Sequence, residues 1–377
     1  MKIAITADLH LTPEYPERAF AFKNILEQLE AEGISDLIIA GDLFDKDGDD
    51  SAYESFRTPC RAHPFLKSHI IPGNHDSTKS LRDISPDLAN VKIYSSPTFK
   101  LFDNFGILFI PYCKGISMGE AILQSKEKIE EGIPWGLVGH GDFIEGQREP
   151  NPREKGVYMP LKQGDLNDAN LYQVFLGHIH KPTPLDQPLA GKVIYPGSPQ
   201  GLDITESGSR RFLVYDTESG RVTDRMVNSS IIYLNETFLV FPSIQEQENL
   251  YKDFEERLLK TNLSSKELLE KTHIRIKIEG FALDKEGLVD SFCSRVKEFG
   301  ITLFKGIEPD FNQVITASDE QKKNLSLEAL LNVDRLAEGT SELFPEKVEG
   351  QSKWIFGGNE PTMEQVRMEV LRTIYKG

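Results

Sequence analysis

The sequence predicts a layered α/β protein that also carries a smaller α+β module and a helical C-terminal tail. Over residues 1–228, short apolar runs rich in β-branched residues alternate with helical patterns. Most of these runs are continuously apolar, which indicates strands buried on both faces. Strands of that kind need cover on each side, so a layered architecture follows.

The first domain, residues 1–228, contains eight apolar runs that we predict to be strands. They are residues 2–7, 37–40, 68–71, 107–110, 136–139, 173–177, 193–195 and 212–215. Between the first two runs, residues 16–31 place Phe22, Ile25, Leu26 and Leu29 on one face of a helix. This helix can cover one side of the sheet.

Residues 229–308 have a different texture, and we predict that they form a small α+β capping domain beside the site. Strands are expected at 236–241, 273–279 and 301–305, and helices at 244–260 and 284–299. Ile274, Ile276 and Ile278 alternate with polar residues, as in a half-exposed strand. Ser264 and Ser265, followed by Glu267, resemble a capping box that opens a short helix.

Residues 309–377 are expected to form a linker and a helical tail. Residues 306–325 look irregular and polar, whereas residues 325–337 and 362–375 each carry an apolar stripe. Short isolated helices are marginal in water, so these stripes must be buried on something. We expect a partner protein to cover them, and the alternative is that the tail folds back on the first domain.

Bulk properties describe an ordinary globular chain of 377 residues, with 39% hydrophobic and 27% charged residues. No apolar stretch is long enough for a membrane helix, and the apolar N-terminal segment is too short for a signal peptide. Cys60, Cys113 and Cys293 fit neither a zinc spacing nor a disulfide framework, so we expect a cytoplasmic protein.

Five short polar motifs follow predicted strands and carry the chemistry. They are Asp8-Leu9-His10, Gly41-Asp42, Gly73-Asn74-His75-Asp76, Gly139-His140 and Gly177-His178-Ile179-His180. Any one of them alone is typical of a solvated turn or a surface histidine. Five of the eight histidines fall within this ordered set, however, and that conjunction favours a functional site. We interpret the other three, His63, His69 and His273, as structural or surface residues.

The donors in these motifs suit two divalent metal ions. The predicted ligands are Asp8, His10, Asp42, Asn74, His140, His178 and His180. Mixed nitrogen and oxygen ligation without thiolates favours Mn²⁺, Fe or Zn. Two such ions clamp a phosphate and lower the pKa of a bound water. Of the remaining residues, His75 could protonate the leaving group. Asp76 is placed to orient His75, and Asp142 to orient His140.

These motifs resemble the signature of the calcineurin-like metallophosphoesterase superfamily. Within it, Gly41-Asp42-Leu43-Phe44-Asp45 and Tyr195-Pro196-Gly197-Ser198-Pro199 are similar to SbcD-type nucleases that act on DNA double-strand breaks. The resemblance implies a four-layer α/β/β/α sandwich and the ligands named above with His75 as catalytic histidine. It implies a preference for two Mn²⁺ ions, with Mg²⁺, Fe or Zn as the alternatives. It also implies a tail that docks on the coiled-coil base of an SMC-like (SbcC-type) ATPase in DNA repair or recombination.

Three functions stay open at this point: a DNA phosphodiesterase in an ATPase complex, a phosphoesterase acting on a small nucleotide or a phosphoprotein, and a catalytically silent scaffold. The extra domain and the tail favour the first. A net charge of −16 usually argues against passive binding of nucleic acid, but an acidic enzyme can still handle DNA if its affinity comes from metals, a partner and a few local cations. Candidate DNA contacts are Arg148, Arg153, Lys155 and Lys181. A homodimer is compatible with this interpretation.

Overall fold

The computed structural model describes residues 1–46, 50–77, 81, 84, 88–144, 156–168, 170–260, 265–316, 320–343 and 362–376. Two compact units divide the chain, Met1–Tyr233 and Leu234–Gly377. This division falls five residues after the predicted boundary at 228. The further boundary predicted at 308 stays a prediction.

The first unit contains thirteen strands among its described residues and begins a fourteenth. They are β1 (Lys2–Thr6), β2 (Asp36–Ala40), β3 (Lys67–Ile71), β4 (Val91–Ile93), β5 (Thr98–Phe102), β6 (Phe105–Ile110), β7 (Trp135–His140), β8 (Phe143–Ile144), β9 (Leu161–Lys162), β10 (Leu171–Gly177), β11 (Val193–Ile194), β12 (Arg211–Asp216) and β13 (Val222–Met226). The α-helices of this unit whose bounds lie in the described part of the chain are α1 (Pro16–Glu32), α2 (Asp50–Ala62) and α3 (Met118–Gln124). All eight predicted strands and the predicted first helix are present.

Two sheets form the centre of this unit. One has the strand order β13-β12-β1-β2-β3-β4, and the other has the order β11-β10-β7-β6-β5. Strands β1 to β4 run parallel, and so do β6, β7, β10 and β11. Because the strands of each parallel set end at the same edge, loops that follow them gather there.

Three apolar layers explain why the central strands are buried on both faces. Ile3, Ile38 and Ala40 from the first sheet pack with Phe109 and Val138 from the second. The outer face of the first sheet packs against α1 and α2, and the outer face of the second packs against α3. The unit is therefore a four-layer α/β/β/α sandwich, which confirms the predicted fold class.

The second unit is a small α+β structure. Its strands are β14 (Ile232–Val240), β15 (Thr272–Ala282), β16 (Thr302–Leu303) and β17 (Asp310–Thr316), and its helices are α4 (Glu246–Lys260), α5 (Lys266–Lys271), α6 (Lys285–Phe299), α7 (Glu320–Leu343) and α8 (Met363–Lys376). Strand β15 lies centrally and pairs with β14, β16 and β17. Ile274, Ile276 and Ile278 are buried, as their alternation with polar residues predicts.

The predicted linker at 306–325 is wrong over part of its length. Strand β17 lies within it and pairs in parallel with β15. Only Phe311 and Val314 of this strand are buried, and the rest of it is polar or exposed. Two inward-facing apolar residues give too weak a pattern for a strand to be recognised from the sequence.

The tail helices are not held away from a core, which corrects the premise that they need an outside surface to bury their stripes. Leu330 of α7 and Leu371 of α8 pack on Phe281 of β15. Partly buried Met368 and Ile374 of α8 join the same cluster. The Arg367 guanidinium donates to Asp334 at 2.7 Å and joins the two helices. The second unit therefore covers much of its own tail. No helix within the described ranges has the length and apolarity needed to cross a bilayer.

Candidate metal centre

The five motifs converge at the carboxyl ends of the parallel strands. Asp8 and His10 follow β1, Asp42 follows β2, and Asn74 follows β3. From the second sheet, His140 ends β7, and His178 and His180 follow β10. The structure brings all seven predicted ligands together at this edge, where both sheets contribute side chains.

Backbone strain is concentrated at these positions. Asp8, His10, Asp42 and His178 all have positive φ angles, of 54°, 44°, 51° and 96°. Residues with a Cβ rarely adopt this conformation, and each instance costs on the order of 1–3 kcal/mol. The surrounding packing must hold the turns in place, and each turn directs a polar side chain toward the others.

Two motif glycines are required by close approach. A Cβ on Gly41 would overlap the His140 ring, and a Cβ on Gly73 would overlap the Asp42 carboxylate. Any larger residue would therefore displace a predicted ligand. This gives a packing reason for the Gly-Asp and Gly-Asn-His-Asp patterns.

The ligand atoms of Asp8, His10 and His180 form one group, with all atoms within 4.8 Å of one another. The Nε2 atoms of His10 and His180 are 3.2 Å apart. Asp8 accepts a hydrogen bond from the His178 amide through Oδ1 at 2.8 Å. The other oxygen, Oδ2, is buried and makes no hydrogen bond with any described residue.

A second group contains Asp42, His140 and His178, again within 4.8 Å. The side-chain oxygen of Asn74 lies beside it, 2.8 Å from His140 Nε2 and 3.1 Å from His178 Nδ1. The Nδ1 atom of His140 donates to the Ala40 carbonyl at 2.9 Å, which leaves Nε2 to face the group.

Asp42 lies between the two groups. Its Oδ2 atom is 3.4 Å from His140 Nε2 and 3.7 Å from His10 Nε2. It also belongs to a third group, with His10 and His75. The Asp42 carboxylate is thus placed to bridge two cations.

His75 is held at the edge of this cluster. Its amide donates to Asp42 Oδ1 at 2.9 Å, and its ring Nδ1 donates to the Asp45 carbonyl at 3.0 Å. That second bond directs Nε2 away from the backbone, which suits a group that transfers a proton. The ring is also close enough to His10 and Asp42 to contact an ion held there.

The structure corrects two predicted supporting roles. Asp76 does not orient the His75 ring, because its carboxylate accepts hydrogen bonds from the amides of Leu43, Phe44 and Gly73. It fixes the loop that carries Asp42. Asp142 lies 3.7 Å from His178 Nε2, whereas the Ala40 carbonyl orients His140. Sequence proximity to a histidine is therefore a poor guide to its partner.

Burial and crowding perturb the ionisation of these groups. Burial raises the pKa of Asp8, and burial together with repulsion from Asp42 raises the pKa of Asp76 to about 6. For Asp42, burial is outweighed by His140 and the other imidazoles, which hold the pKa of the carboxyl well below its usual range. For His140, burial is outweighed by Asp42 and Asp8, which raise its pKa to about 9.

The residues present fit divalent metal ions. A fully buried carboxylate oxygen without a hydrogen-bond donor, such as Asp8 Oδ2, is costly unless a cation neutralises it. The imidazoles and carboxylates around it are the donors that borderline divalent ions prefer, and no thiolate is among them. Three groups, two of which share Asp42, give room for more than one ion.

A cavity of about 900 Å³ opens beside these groups within the first unit. Its lining includes Asn74, His75, Tyr112, Lys114, Ser117 and Tyr158. The rings of Tyr112 and Tyr158 lie 6.2 Å apart, and Tyr158 packs against His178. Aromatic faces and one cation thus lie next to the side chain that we expect to transfer a proton.

Several supporting residues cannot be recognised from the sequence. Glu206 contacts His180, and the buried Arg18 donates to the His10 carbonyl at 2.8 Å. Asp45 lies 3.5 Å from His10 Nδ1. Of these three supporting residues, it is the one that a sequence pattern indicates, because it is the last residue of the Gly-Asp-Leu-Phe-Asp motif. Of the predicted DNA contacts, Lys181 is exposed, and Arg148, Arg153 and Lys155 lie outside the described residues.

A family model and a known protein match parts of this sequence. Residues 1–182 match the model of the family described as calcineurin-like phosphoesterase. An uncharacterized metallophosphoesterase, YhaO of Bacillus subtilis (strain 168), is 28% identical over 251 residues, which cover 58% of this chain. The match spans 57% of the length of that relative, a little over half of it.

Solved structures also match. The protein TT1561 of Thermus thermophilus is 12% identical, with a TM-score of 0.43, over 60% of this chain and 99% of that one. An archaeal phosphodiesterase is 16% identical, with a TM-score of 0.32, over the same shares. The family match at residues 1–182 spans all five motifs. The first unit of this chain is thus similar to calcineurin-like phosphoesterases over the residues that carry the motifs.

Proposed function

We propose that this chain is a two-metal-dependent DNA phosphodiesterase, and that it acts as the nuclease subunit of an SMC-like ATPase complex. The observation that carries the phosphodiesterase assignment is the position of Asp42, which lies between ligand groups on either side and next to His75. Divalent ions bound there, preferably Mn²⁺, would neutralise phosphate charge and lower the pKa of the attacking water.

The protein's own residues would hold the ions, transfer a proton and contact the substrate. Asp8, His10 and His180 hold one side of the site, and Asn74, His140 and His178 hold the other. The Asp45 carbonyl fixes His75 Nδ1, so Nε2 is the atom that gives a proton to the departing oxygen. Tyr112 and Tyr158 offer aromatic faces to a nucleoside in the adjoining cavity.

DNA as the substrate rests on the SbcD-like motifs and on this cavity. Its Lys114, together with the exposed Lys181 beyond the last ligand, would contact the phosphate backbone. Each phosphate contact adds about one unit to the salt dependence of binding. We expect Lys181→Gln to reduce that slope by about one unit, and an unchanged slope would remove Lys181 from the interface.

A second candidate, hydrolysis of a small nucleotide, is favoured by the size of the cavity. A volume of about 900 Å³ can enclose a nucleotide, and the net charge of −16 disfavours long polyanions. End-labelled duplex DNA and cyclic nucleotides, each assayed with Mn²⁺ and with EDTA, separate the candidates. Cleavage of DNA supports the nuclease, and hydrolysis of cyclic nucleotides alone supports the second candidate. Failure on both contradicts both candidates.

The partner proposal needs a surface on the second unit that the fold leaves open. Leu325 and Leu331 of α7 remain exposed, at 52% and 58%, and Leu331 lines a groove that also includes Arg367. We place the coiled-coil base of the ATPase on this surface. Truncating the tail would uncover Phe281, so point substitutions make the sharper test.

Leu331→Asp should abolish co-purification with the co-expressed ATPase. Leu259→Asp is the matched control, because Leu259 is exposed to 62% on α4 of the same unit and does not line the groove. Equal loss in both variants, or in neither, contradicts this docking surface. Either outcome leaves the phosphodiesterase assignment to be decided by the assays above.

A further inference from the structure

The segment from Tyr195 to Glu206 encloses His180 and extends the metal centre beyond its ligands. Ser198 donates its amide to the His180 carbonyl at 3.2 Å, and Arg210 donates to the same carbonyl at 3.0 Å. A Cβ on Gly197 would lie 2.6 Å from that carbonyl oxygen, so only glycine allows the segment to approach so closely. The Tyr-Pro-Gly-Ser-Pro pattern thus serves to hold the backbone of His180.

Glu206 holds the ring of the same residue. Its Oε1 atom accepts a hydrogen bond from His180 Nδ1 at 2.8 Å. A carboxylate acceptor at Nδ1 keeps the proton on that nitrogen and leaves Nε2 with a free lone pair. Nε2 is the atom that faces His10 Nε2 at 3.2 Å, inside the group that includes Asp8.

The other oxygen of Glu206 is saturated with donors. Oε2 accepts from Ser198 Oγ at 2.9 Å, from the Leu202 amide at 2.9 Å and from Arg210 at 3.1 Å. The carboxylate side chain is only 10% exposed, so these bonds fix its orientation. Of its two oxygens, Oε1 is therefore the one assigned to His180.

We propose that Glu206 is a positioning residue which sets the His180 tautomer and so makes that side of the site competent to bind metal. This inference rests on the proposed metal centre and not on DNA as the substrate. Nothing in the spacing of the motifs indicates Glu206, because it follows His180 by 26 residues. Supporting carboxylates of this kind are worth about 10–100-fold in metal affinity.

Glu206→Gln gives a test that preserves shape. Three donors converge on Oε2, so the amide oxygen must take that place and the amide NH₂ must face His180 Nδ1. The NH₂ group donates, so it drives the proton from Nδ1 to Nε2 and blocks the ligating atom. Metal affinity on the Asp8 side should fall about 10–100-fold, with the second ion retained.

Two measurements carry the test. Nitrogen NMR of the metal-free protein, with the His180 signal assigned by its loss in His180→Asn, should show the Nδ1–H tautomer in the wild type and the Nε2–H tautomer in Glu206→Gln. Metal titration by calorimetry should then show one weakened site. An Nε2–H tautomer in the wild type overturns the proposal even if the variant fails to fold.

Asp36→Asn is the matched control. Asp36 is a buried carboxylate that accepts from His69 Nε2 at 2.9 Å in the same unit, away from the ligands. The same chemical change there should leave both metal affinities at their wild-type values. Equal losses in the two variants would indicate general destabilisation and overturn the positioning role. If the wild type binds no metal, the proposed function fails, whereas the tautomer measurement still decides the role of Glu206.

Discussion

The two units of this chain use buried polar groups in opposite ways. In the second unit, Glu246 accepts from the amides of Leu283 and Asp284, and Ser326 donates to the Lys322 carbonyl one turn earlier. The Glu246 bonds satisfy backbone amides just before helix α6, and the Ser326 bond lies within helix α7. In the first unit, buried Asp8, Asp42 and His140 face one another across the ends of two sheets.

Backbone geometry follows the same division. Four predicted ligands of the first unit have positive φ, and in the described part of the second unit Lys305 is the one such residue with a Cβ. Strain and facing charges both lower stability, so their coincidence at one edge needs a functional reason. The difference teaches that the candidate metal centre lies in the first unit, whereas the polar contacts described for the second unit support its packing. Four substitutions test this contrast, in order of decreasing effect.

Asp42→Asn should have the largest effect. The change keeps the shape of the side chain but halves its capacity to bridge, at a residue that lies between ligand groups on both sides. We expect hydrolysis to fall by at least about 10⁴-fold, the upper limit for loss of a general acid, because neither ion would then be held. Elemental analysis after desalting should show loss of both ions. Retention of two tightly bound ions would contradict the bridging role.

His75→Ala comes next. A lost general acid lowers turnover by about 10²–10⁴-fold, and metal content should stay near the wild-type value. The measurement is the rate of hydrolysis together with metal analysis on one preparation. His75 also lies within reach of an ion beside His10 and Asp42, so loss of metal would reassign it as a ligand.

These two residues show which parts of the site a sequence can reveal. Each motif combines a strand end with a polar residue, and parallel strands bring their ends to one edge, so Asp42 and His75 can be identified from the sequence alone. Glu206 and Arg18 cannot, because their contacts with His180 and His10 depend on how distant segments fold over them. The partners predicted for the Asp76 and Asp142 carboxylates are wrong for the same reason.

The fold divides in a similar way. In the first unit, the eight expected strands can be recognised as continuous apolar runs, because strands buried on both faces contain few polar residues. Strand β17 pairs with β15 and buries only Phe311 and Val314, so its sequence resembles a linker. The apolar stripes of the tail are visible in the sequence, but their partner, Phe281, lies 49 residues before Leu330 and 90 residues before Leu371, and nothing local identifies it.

Leu371→Ala tests the packing side of the contrast. Leu371 is fully buried against Phe281 and Leu330, and large-to-small changes of this kind cost about 2–5 kcal/mol. We expect the second unit to melt earlier in calorimetry, with metal affinity unchanged. Leu331→Ala, at an exposed position on α7, should change stability by less than about 0.5 kcal/mol. A loss of metal in Leu371→Ala would show that the two units are not energetically separate.

Glu32→Gln should have the smallest effect, because it removes charge only from the surface. Arg225 donates to both oxygens of Glu32, at 2.7 and 3.0 Å, and this hydrogen bonding lowers the pKa of the carboxyl. Both side chains are about one-third exposed and screened by water, so the pair should contribute less than about 1 kcal/mol. This surface ion pair therefore differs from the metal centre, where buried polar and charged side chains face one another.

The sign of the pH dependence follows from the direction of that shift. A carboxyl whose pKa is lower in the folded state stabilises the fold above its unfolded pKa, and loses that contribution as the pH falls through its folded pKa. The stability difference between wild type and Glu32→Gln should therefore be present at neutral pH and shrink on acidification below the usual glutamate range. Denaturant melts at several pH values measure it, with the change repeated in an Arg225→Gln background as control. A difference that grows at low pH, or that persists without Arg225, would contradict the ion pair as its cause.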